Sequence, residues 1–336
     1  MAFPHVVASA STKARPRAAA PLALMALVVL AALLPLALSD YRIFQVTLAL
    51  VYAIAILGLN ILTGYNGQFS LGHGAFYAIG AYTAAIMMSE WQIGYYWTLP
   101  VAGLLCFGAG FLFGFPALRL EGLYLALATF ALAVATPQIL KSDHLAPLTG
   151  GVQGIVILKP DPPFGLPLSQ DQWLYEFTLA VALVLFVGAW NLLRGRTGRA
   201  IKAIRDHPIA AEAMGINKAL YKTLTFGVSA FYTGVAGALG AIVIQFVAPD
   251  SFTVFLSITL LVGVVVGGLA SIPGAIFGGL FVQFIPNLAE QISKAAPWAI
   301  YGVFLIAFMY VMPYGVWGLL RTLGERIERI RRRRSA

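Results

Sequence analysis

The sequence has few charged residues and a single cysteine. Only 10% of its 336 residues are Asp, Glu, Lys or Arg, whereas soluble globular proteins carry about 25%. The lone Cys106 excludes an intrachain disulfide framework and a CxxC metal site. Hydrophobic residues make up 60% of the chain and the mean hydropathy is +0.84, so a disordered chain is excluded as well. This composition is typical of a membrane protein.

Apolar runs without a central charge recur along the sequence, as expected of membrane-spanning helices. Ten candidate spans cover residues 19–38, 43–62, 73–89, 95–117, 122–140, 173–193, 223–246, 252–270, 272–289 and 298–320. We therefore expect an all-α polytopic integral membrane protein with about ten transmembrane helices and Gly-rich helix breaks. The expected regions are a basic cytoplasmic N-terminus at 1–18, a transmembrane domain at 19–320 and an Arg-rich cytoplasmic tail at 321–336.

The basic residues favour one side of this topology. If the N-terminus is cytoplasmic, all but four of the 22 Lys and Arg residues fall in cytoplasmic segments. The four exceptions are Arg42, Lys141, Lys159 and Lys294. The positive-inside rule then predicts that both termini are cytoplasmic, with an outer loop at 141–172 and a cytoplasmic loop at 194–222.

The sequence also lacks the features by which a transporter powers itself. No Asp, Glu, Lys or Arg lies near the middle of a candidate span, and no GxxxxGK[ST] motif is present to hold ATP phosphates. A transporter of this kind would draw its energy from another subunit. A self-contained channel or facilitator for a small neutral solute, such as urea or an amide, fits the same absences. A membrane-embedded enzyme is not expected, because the chain has neither paired carboxylates nor metal-spaced histidines.

A Gly-rich polar segment at residues 58–74 interrupts the apolar pattern. Irregular backbone is tolerated in a membrane only where it is buried in protein or lines a watery cavity. A helix that restarts after such a break points free N–H groups at the cavity, which suits a substrate carboxylate. The candidate substrate-path residues are Asn60, Gly64, Asn66, Gly67, Gln68, Ser70, Gly72, His73 and Gly74. A tight inter-helix turn that uses glycine for geometry alone explains the segment equally well.

Two further Gly-rich segments follow. The candidate docking residues of the outer loop are Thr149, Gly150, Gly151 and Gly154. Four prolines come after them, so we expect a stiff loop with little regular structure, which forms either a docking surface or a connector. Nearer the C-terminus, the pairs Gly263/Gly267 and Gly274/Gly278 favour close packing between helices.

The cytoplasmic loop carries the signals of a short helix. Asp206 is the expected N-cap, Pro208 fits a first turn, and Gly215 is a typical C-terminal stop. An Ala-rich helix of about two turns has little apolar surface to bury and is marginal by itself. It therefore makes most sense beneath a partner protein, although an ordinary capped loop helix is the alternative.

Several short motifs occur in order along residues 40–320. They are Gly58-Leu-Asn60, Ser70-Leu-Gly-His-Gly-Ala-Phe76, Gly80-Ala-Tyr-Thr83, Pro116-Ala-Leu-Arg-Leu120, Leu148-Thr-Gly-Gly151 with Gly154, Arg199-Ala-Ile-Lys-Ala-Ile-Arg-Asp206, Ala211-Glu-Ala-Met-Gly-Ile216 and Gly267-Gly-Leu-Ala-Ser-Ile-Pro-Gly274. In these motifs the chain resembles the permease subunits of branched-chain amino acid ABC importers, of the LivM type.

The resemblance implies a permease subunit that forms the translocation path for branched-chain or related amino acids in the bacterial inner membrane. It implies no ATPase site, no cofactor and no metal in this chain, which would not be an enzyme. The implied partners are two ABC ATPase subunits that use the ATP, a second LivH-like permease, an extracytoplasmic solute-binding protein and membrane lipid. Nucleic acid is not among them.

The resemblance also implies that residues 200–217 seat in a groove of an ATPase. The candidate coupling residues are Arg205, Asp206, His207, Pro208, Ala210, Ala211, Glu212, Ala213 and Gly215. The match is loose at one point. The general importer pattern, Glu-Ala-Ala followed by three residues and Gly, places Glu at position 209, where this chain has Ile209. An ATPase contact by Glu212 therefore does not follow from the pattern.

Overall fold

The computed structural model describes residues 19–120, 122–165, 167–292, 294 and 297–334. The predicted N-terminal region at 1–18 lies outside the described residues. The chain divides into two units, residues 1–39 and 40–336. In the first unit, helix α1 (Ala19–Leu33) runs into a 3-10 turn at Leu34–Leu36.

The second unit is built from helices, which confirms the all-α prediction. In chain order they are α2 (Asp40–Asn60), α3 (His73–Ser89), α4 (Tyr95–Ala117), α5 (Leu123–Leu140), α6 (Ala146–Thr149), α7 (Gln170–Arg194), α8 (Arg196–Asp206), α9 (Pro208–Ala213), α10 (Lys218–Ile244), α11 (Val254–Gly267), α12 (Gly274–Ile292), α13 (Pro297–Val311) and α14 (Gly315–Arg334). Two strands of two residues each, β1 (Ile155–Val156) and β2 (Phe246–Val247), pair antiparallel.

Within the described residues, six helical stretches are long and apolar enough to cross a membrane. They are residues 40–65, 95–117, 123–140, 170–194, 218–244 and 299–323. The other four predicted spans correspond to α1, α3, α11 and α12. The 14 residues of α11 cover about 21 Å, which is less than the bilayer core of about 30 Å. The polytopic all-α architecture therefore stands, whereas ten crossings remain a prediction.

Helices α2 and α10 form the centre of the second unit. Each has 83% of its most apolar window buried within the protein. Such burial suits helices that are apolar on every side. Glycines bring the surrounding helices close: Gly80 of α3 lies against Gly234 of α10, and Gly110 of α4 lies against Ala230. The core thus depends on short distances between helix backbones.

The predicted packing of α11 against α12 is confirmed. Gly263 faces Gly278 and Gly267 faces Gly274, so the two small-residue pairs meet each other. This contact makes α11 and α12 an antiparallel pair joined by a short break at residues 268–273.

The connections between helices lie at two ends of the second unit. One end, which we call the basic end, contains α9 and α8, with the Arg and Lys residues of α8. The other, which we call the ribbon end, contains the β1–β2 pair. At the ribbon end Lys141 pairs with Asp250 at 2.5 Å, and the Ser169 hydroxyl donates to Asp40 at 2.9 Å.

Candidate functional site

The polar segment after α2 is a true helix break. Helix α2 continues into one π-helical turn at Ile61–Tyr65 and then gives way to irregular backbone at 66–72, which we call the break segment. Single π-helical turns of this kind occur frequently at functional sites. Gly67 has a φ of +74°, a left-handed conformation that favours glycine. The chain resumes as α3 at His73.

The break segment enters the unit from the basic end and reaches its middle. His73 Nε2 lies 2.6 Å from the Ser229 hydroxyl oxygen. Ser229 is eleven residues beyond Lys218 in the 27-residue α10, about 16 Å along a helix of about 40 Å. Helix α3 therefore begins near the mid-length of α10, with irregular backbone below it.

A chain of hydrogen bonds fixes this mid-depth point. The Ser229 hydroxyl donates to the Gly58 carbonyl at 2.6 Å, so its oxygen accepts from His73 Nε2. His73 Nδ1 then accepts from the Ser70 hydroxyl at 2.9 Å, and the Gly72 amide donates to the Ser70 oxygen at 3.3 Å. Both ring nitrogens are satisfied within the protein by a neutral imidazole. His73 thus ties α2, α3 and α10 together.

The start of α3 does not present a free amide to a cavity at position 74. The Gly74 N–H, which the break suggests for a substrate carboxylate, donates to the Ser257 hydroxyl of α11 at 2.8 Å. The Leu71 amide likewise donates to Thr129 of α5 at 2.9 Å. These bonds account for two backbone groups that a helix break would otherwise leave unpaired.

Asn60 joins this break to the second break, between α11 and α12. Its Nδ2 donates to the carbonyls of Ser271 at 2.8 Å and Gly268 at 3.3 Å, and its Oδ1 accepts from the Ala270 amide at 2.9 Å. Asn60 is 1% exposed. Gly64 packs directly against Ala270, where a Cβ on the glycine would overlap the Ala270 backbone and the Asn60 side chain. The Asn60 amide therefore binds directly across the junction of the two breaks.

A third interruption meets the same point. The last predicted span, 298–320, is divided at residues 312–314, and Gly315 lies against Gly268 and the Val266 carbonyl. Three helix breaks that are distant in the sequence thus converge near the basic end. Their convergence is the main structural feature of the candidate site.

The break segment has one buried and one open side. Asn66, Gln68 and Ser70 are 3%, 6% and 1% exposed, whereas Gly67 and Phe69 face outward. The Gln68 amide donates to the Lys222 carbonyl at 3.3 Å, and neither amide atom of Asn66 has a hydrogen-bond partner among the described residues. Burial thus alternates from one residue to the next over residues 66–70, as it does along an extended chain.

A cleft of about 200 Å³ lies beside the open side. Its walls include Phe69 from the break segment, Leu125 from α5, and Ile204 and Arg205 from α8. The cleft combines these apolar residues with two cations, Arg205 and Lys222, and with the amides of Asn66 and Gln68. Sequence reasoning did not single out Phe69 or Leu125, because neither residue differs in type from the many apolar residues around it.

The prediction of a short helix within the loop 194–222 is partly confirmed. Gly215, with a φ of +81°, ends the short helix α9, and the Ile216 amide donates back to the Ala211 carbonyl at 3.1 Å. The N-cap prediction was wrong. Helix α9 begins at Pro208 after His207, and Asp206 instead accepts from Arg205 Nε at 2.9 Å, because it belongs to the end of α8.

The exposed side of α9 includes large apolar side chains as well as alanines. Ala211 is buried against its own chain, while Ala210, Glu212 and Ala213 are exposed. The largest exposed apolar side chains are Ile209 and Met214, each 83% exposed. Ile209 stands where the importer pattern has Glu, and the loop thus presents apolar side chains at that face.

The predicted outer loop is pinned to the end of α10 by the short ribbon. Ile155 pairs with Val247 and Val156 with Phe246. Gly154, with a φ of +74°, lies so close to the Val247 carbonyl that a Cβ there would overlap it. The segment before the ribbon is also restrained, by hydrogen bonds of Thr149.

Thr149 accounts for that restraint. Its hydroxyl donates to the Leu140 carbonyl at 2.8 Å and accepts from the Gly151 amide at 3.2 Å, next to Gly150. The loop contains the short elements α6 and β1, and its stiffness remains a prediction. Among the described residues, no group of three or more His, Cys, Asp or Glu side chains is placed to hold a metal ion.

Comparison with known proteins gives a consistent result. The chain matches the family described as branched-chain amino acid transport system / permease component over residues 41–313. It is 34% identical to the high-affinity branched-chain amino acid transport system permease protein LivM of Escherichia coli K12, over 89% of this chain and 75% of that protein. It is 26% identical to LivH of the same organism, over 81% and 93% of the two chains. No solved structure matches the chain significantly.

Proposed function

The chain belongs to the family of branched-chain amino acid transport system permease components and is of the LivM type, and on this premise we propose that it is the permease subunit of an ATP-binding-cassette importer. It is a multi-pass membrane transport protein, and its family is one of transport subunits rather than enzymes. In our proposal it forms the translocation path for branched-chain or related amino acids. The observation that carries the proposal is the convergence of three helix breaks beside a basic loop.

The basic end faces the cytoplasm of a bacterial cell, and the protein lies in the inner membrane. The distribution of Lys and Arg supports this orientation through the positive-inside rule. Ten segments cross the bilayer and both termini are cytoplasmic. The permease domain covers 19–320, between the N-terminal region 1–18 and the tail 321–336, whose Arg residues contact anionic lipid.

Separate subunits supply energy and substrate. Two ABC ATPase subunits use the ATP, because this sequence has no phosphate-binding loop of its own. In our proposal the chain itself binds no cofactor. A LivH-like permease completes the membrane core. A solute-binding protein docks on the ribbon end, where the outer loop with Gly150, Gly151 and Gly154 is held rigid and Val156 and Leu158 are exposed. A facilitator that works alone gains no support, because the relatives are named as parts of transport systems.

The substrate path follows the open side of the break segment. The buried candidates, among them Asn60, Ser70 and His73, hold the break in shape from behind. Gly67 and Phe69 face the cleft, whose apolar residues suit an aliphatic side chain and whose Arg205 and Lys222 suit a carboxylate. Irregular backbone at membrane depth is compatible with this role, because it is allowed where it lines a watery cavity.

Reconstitution tests the proposal as a whole. The chain alone in liposomes is expected to accumulate no leucine, with or without ATP. Liposomes that also contain the ATPases, the second permease and the binding protein are expected to accumulate it when ATP is enclosed on the basic-end side. Uphill uptake by the isolated chain, or none by the full complex, would contradict the proposal.

The exposed apolar residues of α9 carry the contact with the ATPase. Ile209→Asp is expected to reduce ATP-driven uptake at least tenfold and to prevent co-purification of the ATPases, because it places a charge in an apolar interface. Folding should change little, since Ile209 is 83% exposed. Leu158→Asp is the control for ATPase co-purification alone, because it places the same charge on an exposed apolar residue at the opposite, ribbon end. Equal ATPase recovery from the two variants would show that Ile209 is not in the interface.

A further inference from the structure

Arg205 joins α8 directly to the first helix break. Its Nη1 donates to the Gly64 carbonyl at 2.9 Å, across 141 residues of sequence. The side-chain stem passes over Gly67, which has no side chain to obstruct it. Asp206 holds the guanidinium from the other side, with Nε at 2.9 Å and Nη2 at 2.8 Å from its Oδ1. Asp206 thus holds the guanidinium beside the Gly64 carbonyl, while the Arg205 side chain is 35% exposed.

The far end of this link reaches the other breaks. Gly64 packs on Ala270, and Asn60 binds the backbone of residues 268–271, against which Gly315 lies. A displacement of the Gly64 carbonyl can therefore be transmitted through residues in direct contact to all three breaks. The route consists of close glycine contacts, which leave no space for a Cβ, and of the hydrogen bonds of the Asn60 amide.

The near end of the link lies next to α9. Arg205 is two residues before the His207 that begins the α9 turn. Helix α8 is itself anchored by Ile201 and Ile204, which are 1% and 2% exposed. A second contact comes from Lys202, whose Nζ lies 5.6 Å from the centre of the Tyr65 ring in the π-helical turn. The α8–α9 segment is thus attached to the turn that contains Gly64.

We propose that Arg205 is the positioning residue through which movement of α8 and α9 reaches the converged helix breaks. The inference rests on the proposed function and adds a named mechanical link to it. Arg205 contacts no ATPase in this account. It acts from within the permease, by holding the Gly64 carbonyl to α8.

The test measures leucine transported per ATP hydrolysed in the reconstituted complex. Arg205→Met keeps the apolar stem of the side chain and removes the hydrogen-bond donor. ATP hydrolysis is therefore expected to continue, while less of the movement of α8 and α9 reaches the helix breaks. The ratio is expected to fall severalfold, because the charge-assisted hydrogen bond that holds the Gly64 carbonyl to α8 is lost. Arg199→Met is the matched control, because Arg199 is an exposed cation on the same helix. Its ratio is expected to equal that of the unsubstituted complex.

A second readout follows the break itself. Phe69→Cys introduces a thiol on the open side of the break segment, while the native Cys106 is buried and reacts little. In the complex, ATP is expected to change the labelling rate of this thiol severalfold, and the additional Arg205→Met change is expected to remove that dependence. A merely structural arginine would not affect the response to ATP.

The outcomes separate the two hypotheses. If the unsubstituted complex shows no ATP-driven uptake, the proposed function fails. If it transports but Arg205→Met keeps the same ratio or the same ATP-dependent labelling, the inference about Arg205 is overturned. Should Arg205→Met fail to assemble, the shorter polar Arg205→Gln is expected to give the lowered ratio, and an unchanged ratio there also overturns it.

Discussion

Replacing Gly80 by alanine is expected to destabilise the protein strongly, although alanine is the better helix former. In α3, a Cβ at position 80 would overlap the carbonyl of Gly234 in α10, and no flexible side chain stands between them. Both atoms belong to helix backbones, so one helix must move away from the other. Small residues at such crossings are what allow close packing in membranes. We expect a loss of about 3 kcal/mol, at the upper end for overpacked cores.

The measurement is thermal unfolding of the purified protein in detergent, together with the yield of the assembled complex. Gly108→Ala in α4 is the control, since nothing lies within 4 Å of a Cβ placed there. That variant should be as stable as the original or gain up to about 1 kcal/mol from helix propensity. A Gly80→Ala protein as stable as the Gly108→Ala protein would show that α3 and α10 do not pack this closely.

The sequence predicted the helices well because apolar runs and their interruptions are local signals. Each predicted span contains a helix, although 298–320 is divided between α13 and α14, and a break lies within each of the segments 58–74 and 263–279. The small-residue pairs were also readable, since spacing alone indicates a close helix contact. The prediction of membrane crossings was weaker where a helix is short, as for the 14-residue α11.

The convergence of the breaks could not be predicted in this way. The bonds from Asn60 reach residues 208 to 211 positions away, and nothing local marks Asn60 apart from the other polar residues of its segment. The Gly74 amide similarly finds Ser257, 183 positions away. The N-cap prediction for Asp206 failed because of a local contact. Asp is a favourable N-cap residue, but the Asp206 carboxylate accepts from the neighbouring Arg205 instead.

Replacing Asn60 by leucine is expected to have the second large effect, on both stability and transport. The change keeps the approximate size but removes the donor to Ser271 and the acceptor for the Ala270 amide. Each buried backbone group left without a partner costs about 1–3 kcal/mol, so the loss should be about 3 kcal/mol or more. The two breaks would then no longer be held in register.

Asn287→Leu provides the control for a generic loss of an amide side chain. Asn287 donates to the Gln283 carbonyl of its own helix at 2.7 Å, so its loss affects one turn of α12 and no second break. In the complete complex, Asn60→Leu should abolish ATP-driven uptake and lower the unfolding temperature, while Asn287→Leu keeps both near their original values. Equal behaviour of the two variants would mean that the breaks meet by backbone packing alone. Loss confined to Asn60→Leu would instead show that the Asn60 amide is needed to hold the two breaks in register.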